Sequence, residues 1–273
     1  MCSGATQTLV FEAAILSWWG KIIGGGLGFM LGGPLGAAFG ATFGHNFDRG
    51  LNNLGGAGFV HSVERLQTAF FTCTFSVMGH IAKADGQVSQ VEIYMAEDLM
   101  RQMNLNPEQK QVAQRLFKEG KKNDFPINDV LHQFRMECSR QRNLMQMFIE
   151  IQMATALSDG TLHTNEERIL KQAASVLGFS AHDYTLLLQR MQAQRHAHST
   201  QDAGMDLKDA YALLGIPKTV SDQEVKKAYR RQMNQHHPDK LVSKGLPEEM
   251  MEMANKKVQD IKMAYEVIKA SRK

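Results

Sequence analysis

The chain has 273 residues, of which 43% are hydrophobic and 22% are charged, and its formal net charge at pH 7 is +3. This composition is typical of a globular protein and argues against long disordered regions or a coiled coil. The net charge is too small to indicate a nucleic-acid-binding protein unless basic residues cluster locally. Only Cys2, Cys73 and Cys138 are present. Their wide spacing argues against a disulfide framework or a zinc site, so we expect a reducing compartment.

An uncharged segment of 23 residues runs from Ile22 to Gly44. As a helix it would be roughly 35 Å long, at about 1.5 Å per residue, which is enough to cross a bilayer. Trp18 and Trp19, beside Lys21, are typical of an interfacial anchor. We therefore predict a short tail over residues 1–21 and a transmembrane helix over residues 22–44. Two alternatives to a membrane helix are disfavoured. A soluble glycine-rich loop would expose many large apolar side chains to water. In a cleaved signal peptide, the basic and apolar parts would begin only at Lys21.

Nine residues of the predicted membrane helix are glycines, and six of these recur at steps of four. They are Gly24, Gly28, Gly32, Gly36, Gly40 and Gly44. Residues at this spacing lie on one side of a helix and leave a groove that a second backbone can approach closely. The pattern predicts a homodimer through the membrane helix. Lys21 and Arg49 nearly balance across the segment, so charge does not set its orientation.

A helical domain is predicted over residues 59–191, after a linker rich in glycine and asparagine over residues 45–58. Apolar side chains recur there at steps of three and four, without the two-residue alternation of strands, which indicates an all-helical bundle. The first helix has the apolar positions Val63, Leu66, Phe70, Cys73, Val77 and Ile81. This spacing predicts one buried face.

Two Asp-Gly turns in this domain are 74 residues apart, at Asp85 and Asp159. Each is followed by a helix-start pair, Ser89 with Glu92 and Thr164 with Glu167. One interpretation makes a cation site from the repeated acidic residues Asp85, Glu92, Asp159 and Glu166. The other assigns them to turns and helix caps. The second interpretation is favoured, because Ile81 and Lys83 stand at the first turn where a cation site would need further oxygen ligands. We therefore predict no metal site and no cofactor.

The region of residues 59–191 resembles the TerB-like domain, an all-helical module built around such acidic turns. This resemblance implies an association with metal binding and membrane-linked stress responses, but it locates no ligands. The histidines and cysteines of the region show no spacing typical of a nucleophile or a metal site. We therefore predict no catalytic residues.

A second linker is predicted over residues 192–205, followed by a basic module over residues 206–273 with 14 Lys and Arg against 10 Asp and Glu. Ser221 and Glu224 form a capping box that predicts a helix start. Val225, Tyr229 and Gln232 share one side of that helix. Its other sides carry Lys226, Lys227, Arg230 and Arg231. A charged stripe opposite a packed face suits an acidic partner.

The basic helix leads into His237-Pro238-Asp239. Because proline disfavours helical backbone at the residue before it, we predict a loop that presents His237 and Asp239 at a sharp corner. A return helix over residues 248–270 would pack against the basic helix. The two helices would then hold the His-Pro-Asp motif at one exposed end.

The carboxy-terminal module resembles a J-domain, the module through which DnaJ-type co-chaperones engage DnaK-type ATPases. The resemblance rests on four segments, which are residues 213–216 (LLGI), 225–231 (VKKAYRR), 237–240 (HPDK) and 261–268 (IKMAYEVI). It implies that the basic helix docks on the chaperone through Lys226, Lys227, Tyr229, Arg230 and Arg231. It also implies that His237, Pro238 and Asp239 trigger ATP hydrolysis by the chaperone. Family members usually carry Leu where Gln232 stands.

The order of membrane segment, TerB-like domain and J-domain resembles the DjlA family of bacterial membrane co-chaperones. That resemblance implies a single-pass inner-membrane protein with a periplasmic amino terminus and cytoplasmic carboxy-terminal domains. It further implies dimerisation, recruitment of DnaK, a role in envelope or capsule signalling, and no enzyme activity of its own. An alternative is a membrane scaffold or stress sensor whose TerB-like domain binds a metal or a protein. A nucleic-acid binder is disfavoured because no aromatic platform accompanies the lysines.

Overall fold

The computed structural model describes residues 33, 58–84, 90–103, 105–158, 160–199, 205–247 and 250–272. Apart from Gly33, the predicted tail, the membrane helix with its six stripe glycines, and residues 45–57 of the first linker lie outside these ranges. Within them the chain is helical and contains no strand, so the all-helical prediction is confirmed there. No helix of the described ranges is long and apolar enough to cross a membrane.

The TerB-like part of the structure contains helices α1 to α7. They are α1 (Gly58–Ala82), α2 (Gln90–Gln102), α3 (Pro107–Gly120), α4 (Ile127–Glu137), α5 (Arg142–Ala156), α6 (Thr164–Val176) and α7 (Ala181–Ser199). The J-domain-like part contains α8 (Leu207–Leu214), α9 (Asp222–His236), α10 (Pro238–Val242) and α11 (Met251–Ser271).

Helix α1 is the centre of the TerB-like part. Phe70, Cys73, Val77 and Ile81 are buried as the sequence predicts. The prediction of a single buried face is nevertheless incomplete, because every residue from Thr68 to Met78 is buried. Helices α3, α4 and α5 all pack against α1 and enclose it on several sides. The Ser76 hydroxyl, which this packing removes from water, donates to the Thr72 carbonyl oxygen at 2.7 Å.

Two glycines allow α1 and α3 to cross with their backbones in contact. A Cβ atom added at Gly79 would lie 1.9 Å from the carbonyl oxygen of Phe117, and one added at Gly120 would lie 1.7 Å from that of Ser76. Both distances are far inside van der Waals contact with backbone atoms, which cannot rotate away. Glycine is therefore required on both helices for this close packing.

The described part of the acidic turns contains a helix cap, at the start of α6. Helix α6 begins one residue earlier than the predicted Thr164–Glu167 pair implies, because Glu166 accepts a hydrogen bond from the His163 backbone N–H at 3.1 Å. Glu167 instead pairs with Lys171 at 2.9 Å. Asp85 and Asp159 lie outside the described residues, as does the side chain of Glu92. Among the described residues, no group of three or more His, Cys, Asp or Glu side chains could hold a metal ion.

Helix α7 extends through Ser199 and so occupies most of the segment predicted as the second linker. The sequence shows no helical apolar face there, but Ala193 is buried and α7 packs against α8 of the J-domain-like part. Contacts across the two parts therefore stabilise a helix that has little amphipathic pattern of its own.

The J-domain-like part has a small core where α8, α9 and α11 meet. It includes Leu213, Leu214, Val225, Ile261 and Ile268, all of which are buried. Ala254, at the start of α11, packs into the core of the TerB-like part.

Candidate chaperone-docking site

Helix α9 begins with the predicted capping box. The Ser221 backbone N–H donates to Glu224 Oε2 at 2.9 Å, and the Glu224 N–H donates to Ser221 Oγ at 3.3 Å. These two bonds satisfy amide groups that have no partner inside the helix. The hydrogen bond from the Ser221 backbone also lowers the pKa of Glu224, so that its charge stays at the amino end of the helix.

The packed residues and the basic residues of α9 lie on different faces of the helix. Val225, Ala228 and Gln232 are buried. The four basic side chains are exposed, and none of them forms an ion pair with another described residue; they are Lys226, Lys227, Arg230 and Arg231. Their charge is therefore available to an acidic surface.

Tyr229 has a packing role as well as its predicted place on the docking surface. It is half-buried, and its ring stacks on that of Tyr265 with the centroids 4.3 Å apart and the planes 20° apart. Such a contact between α9 and α11 contributes about 0.5–1.5 kcal/mol beyond simple burial. One face of Tyr229 is thus covered within the J-domain-like part.

The His-Pro-Asp motif lies at a sharp corner, as predicted. Helix α9 ends at His236, and His237 is extended with φ −61° and ψ 122°. Pro238 is then the first residue of α10, a position where its missing N–H costs no hydrogen bond. The loop predicted from here onward is therefore wrong in part, because residues 238–242 are helical.

The corner exposes its acidic side chain more than its histidine. The exposed fraction is 83% for the Asp239 side chain and 45% for that of His237. His237 Nδ1 lies 4.0 Å from Asp239 Oδ2, too far for a hydrogen bond, and this buried nitrogen has no hydrogen-bond partner in the described structure. Lys240 Nζ donates to Asn234 Oδ1 and so links α10 back to α9. A partner would therefore meet a fixed corner with a free carboxylate.

His236, directly before the motif, is a site residue that the sequence pattern does not reveal. It is 3% exposed, and its Nε2 lies 3.8 Å from Glu150 Oε1 on α5. Burial lowers the pKa of His236 to about 4, an effect that Lys257 and Arg190 reinforce and Glu150 opposes. His236 is thus neutral at pH 7, and the contact is not an ion pair.

Arg272, at the end of α11, ties the J-domain-like part together and was also not predicted. Its Nε donates to the Tyr211 hydroxyl at 2.7 Å, and its Nη1 donates to Asp222 Oδ1 at 2.6 Å. The last helix is thereby linked to α8 and to the start of α9. The hydrogen bond to Asp222 is the main reason why the pKa of Arg272 is raised.

Comparisons with known protein families give three matches along the chain. The family model of the co-chaperone DjlA transmembrane domain matches residues 16–54, that of the tellurite resistance protein TerB matches residues 72–189, and that of the DnaJ domain matches residues 209–273. The first match indicates a membrane anchor, and the third implies a DnaK-type partner. No solved structure matches the chain.

Curated relatives match over nearly their whole length. The co-chaperone protein DjlA of Shewanella oneidensis is 47% identical, with 94% of this chain and 99% of the relative covered. The proteins of the same name from Photobacterium profundum and Escherichia coli are 43% and 40% identical, with 92% and 93% of this chain and 98% of each relative covered. Identity at this level over the full domain order leaves one conclusion, that the chain belongs to the DjlA family of membrane-anchored co-chaperones.

Proposed function

We propose that the protein recruits a DnaK-type ATPase to the bacterial inner membrane and stimulates its ATP hydrolysis through His237, Pro238 and Asp239. The protein supplies a docking surface and a trigger, and the bond chemistry takes place in the chaperone. Stimulated hydrolysis would then help the chaperone to hold its clients close to the membrane.

One observation carries this proposal: the basic face of α9 leads directly into the exposed His-Pro-Asp corner. Lys227, Arg230 and Arg231 point into solvent on the helix that leads to Asp239. Charge on such a face speeds encounter with an acidic partner, while the rigid corner presents the motif in one geometry. Both elements belong to the segment that matches the DnaJ domain.

The membrane part of the proposal rests on the uncharged segment and on the match to a DjlA transmembrane domain at residues 16–54. We place the amino terminus in the periplasm and the TerB and J domains in the cytoplasm, where DnaK and ATP are found. Two chains would associate through the glycine stripe. The pathway served would be envelope or capsule signalling, as the resemblance to the DjlA family implies.

The test is single-turnover ATP hydrolysis by a bacterial DnaK, with the full chain in lipid nanodiscs. We expect the wild-type protein to accelerate hydrolysis and His237→Gln to abolish the acceleration. The matched control is His132→Gln, an exposed histidine on α4, which should leave the stimulation unchanged. Equal stimulation by wild type and His237→Gln would refute the role of the motif, and no stimulation by wild type would refute the proposed function.

A further inference from the structure

The J domain packs directly on the TerB domain. Leu241, Leu246 and Met250, which follow the His-Pro-Asp corner, are fully buried in the same hydrophobic cluster as Phe70 and Phe148 of the TerB domain. The segment from Leu241 to Pro247 thus anchors the corner to the TerB core. Burying a Leu side chain contributes about 1.5–3 kcal/mol, so this contact is a substantial one.

A close contact between Gly245 and the Leu66 side chain makes this anchoring specific. Gly245 has a φ of +100°, and a Cβ atom added there would lie 2.4 Å from Cδ2 of Leu66 on α1. A side chain at position 245 would have to displace the Leu66 side chain, and the positive φ independently favours glycine there. Leu66 is half-buried, and this loop lies against it.

A buried ionic cluster joins the two domains beside the hydrophobic anchor. Lys257 Nζ on α11 lies 3.3 Å from Glu150 Oε2 on α5 and donates to Gln194 Oε1 at 2.8 Å. Gln146 Nε2 donates to Glu150 Oε1 at 2.9 Å. Burial raises the pKa of Glu150 most strongly, but Lys257, His236, the Gln146 hydrogen bond and Arg190 together outweigh it and lower the pKa to about 2. Glu150 is therefore a buried carboxylate whose main counter-charge comes from the J domain.

The last three turns of helix α7 add further contacts between the two domains. We call these contacts, together with the cluster around Glu150 and Lys257, the docking seam. His196 Nδ1 lies 2.5 Å from Asp209 Oδ2 on α8, and Gln194 Nε2 donates to Asp260 Oδ2 on α11 at 2.5 Å. Buried Arg190 faces buried Gln232 on α9. With the Gln232 amide oriented so that its oxygen accepts, the distance to Arg190 Nη2 is 2.9 Å. The glutamine that replaces the usual leucine of J-domains thus has a partner in the TerB domain.

The docked arrangement holds the corner from behind and leaves its front open. His236 is enclosed between Glu150, Lys257 and Arg190, while the next residues, His237 and Asp239, reach solvent. The basic face of α9 is exposed in the same arrangement. Contact with the TerB domain is therefore compatible with access of a chaperone to the motif.

We propose that the TerB domain is a docking platform for the J domain of its own chain, and that Glu150 is a positioning residue that fixes the His-Pro-Asp corner through Lys257 and His236. This inference rests on the proposed function, because the positioned motif is the one that acts on DnaK. Glu150 does not itself touch the chaperone. It acts by keeping the end of α9 and the start of α10 in one geometry.

The test compares Glu150→Ala with wild type in the full chain, in nanodiscs, by single-turnover hydrolysis over a range of co-chaperone concentrations. We expect the maximal stimulated rate to fall about tenfold, which corresponds to about 1.4 kcal/mol. The half-saturating concentration should change little because the basic face is intact. The matched control is Glu252→Ala, an exposed carboxylate on α11, for which we expect wild-type rates. Wild-type rates in Glu150→Ala would overturn the proposal.

A second pair of variants separates positioning from simple loss of fold. Lys257→Met leaves Glu150 buried without its main counter-charge, whereas Glu150→Met with Lys257→Met removes both charges and keeps the volume. We expect the single variant to lose both stability and stimulation, and the double variant to regain near-wild-type stability while its stimulation stays low, because neither variant contains the Glu150–Lys257 pair. Wild-type stimulation in the double variant would show that the pair positions nothing, and the proposal would fail.

Hydrogen exchange provides a readout that does not depend on DnaK. In Glu150→Ala we expect the amides of Leu241 and Val242 in α10 to exchange at least tenfold faster, because the corner is released. Unchanged protection there contradicts the positioning role even if wild type fails to stimulate DnaK. A failure of the proposed function and a failure of this inference are therefore distinguishable.

Discussion

Lys257 Nζ lies 3.3 Å from Glu150 Oε2, although one residue belongs to the J domain and the other to the TerB domain. Both side chains are about nine-tenths buried or more. In such a pair the cost of desolvation nearly offsets the attraction, so the pair adds little net stability while it remains intact. Loss of one partner, in contrast, leaves a buried charge without its counter-charge. The pair therefore makes the relative position of the two domains specific.

A double-mutant cycle on this pair should show strong coupling. We expect Glu150→Met or Lys257→Met alone to lower the free energy of unfolding by about 3–5 kcal/mol, and the double variant to differ from wild type by less than about 1 kcal/mol. Urea denaturation followed by circular dichroism measures these values. The exposed pair Glu167 and Lys171 provides the control cycle, with an expected coupling of about 0.3–0.5 kcal/mol. Additive single effects at positions 150 and 257 would argue against a buried, coupled pair.

Acidification should weaken the docking seam through His236. Its pKa is about 6.5 in an unfolded chain and about 4 in the folded protein, where it faces Glu150 of α5, Lys257 of α11 and Arg190 of α7. Between these two values the unfolded state binds more protons, so stability rises with pH and falls on acidification. We expect wild type to lose about 3 kcal/mol between pH 7.5 and pH 4 from this group.

The variant His236→Gln isolates that contribution. Its free energy of unfolding should fall less than that of wild type over the same pH range, measured by urea denaturation at each pH. Glu150, whose lowered pKa protects it from protonation until about pH 2, adds a further loss only as the pH drops below about 4.5. Parallel pH profiles for wild type and His236→Gln would rule out His236 as the titrating group.

Local sequence signals predict the parts of the site that are themselves local. The Ser221–Glu224 box, the spacing of Val225 and Gln232, and the proline after His237 each act within one or two helical turns, and the structure bears them out. The motif corner was predictable for the same reason. Helical backbone over residues 238–242 was not, because a proline at the first position of a short helix and a proline in a loop look alike in sequence.

The sequence pattern could not predict features that depend on long-range contacts. Glu150 and Lys257 lie on different helices of different domains, and neither stands out from its neighbours in the chain. The end of α7 lacks an apolar stripe, yet it is helical because Gln194 and His196 find partners in the J domain. His236 looks like a solvated neighbour of His237 but is enclosed by three other elements. Tertiary packing decided each of these outcomes.

The crossing of α1 and α3 should be intolerant of any side chain at Gly120. We expect Gly120→Ala to lower the free energy of unfolding by about 2–3 kcal/mol, because the added methyl group would overlap the Ser76 carbonyl and push the helices apart. Alanine is the better helix former, so propensity alone predicts the opposite sign. Chemical denaturation decides between them, with Gln114→Ala on the exposed face of α3 as the control. A stabilised Gly120→Ala variant would contradict the close crossing.

Docking of DnaK on the basic face should depend on salt. Exposed charges are screened over about 10 Å at 0.1 M ionic strength, so the half-saturating concentration should rise as salt increases. We expect Lys226→Ala with Lys227→Ala to raise that concentration about tenfold at low salt and to flatten its salt dependence. The control pair is Lys208→Ala with Lys262→Ala, both exposed outside α9. A wild-type profile that does not change with salt would remove the electrostatic part of the docking proposal.

Self-association in the membrane should depend on the glycine stripe, which lies outside the described residues. Small residues at steps of four let two helices pack backbone to backbone, and a Leu side chain at these positions would hold the helices apart. We expect Gly28→Leu, Gly32→Leu and Gly36→Leu together to reduce dimerisation at least tenfold in a membrane reporter assay. The control is Ala38→Leu, off the stripe, which should associate like wild type. Undiminished association of the triple variant would show that the chains do not pair through this face of the helix.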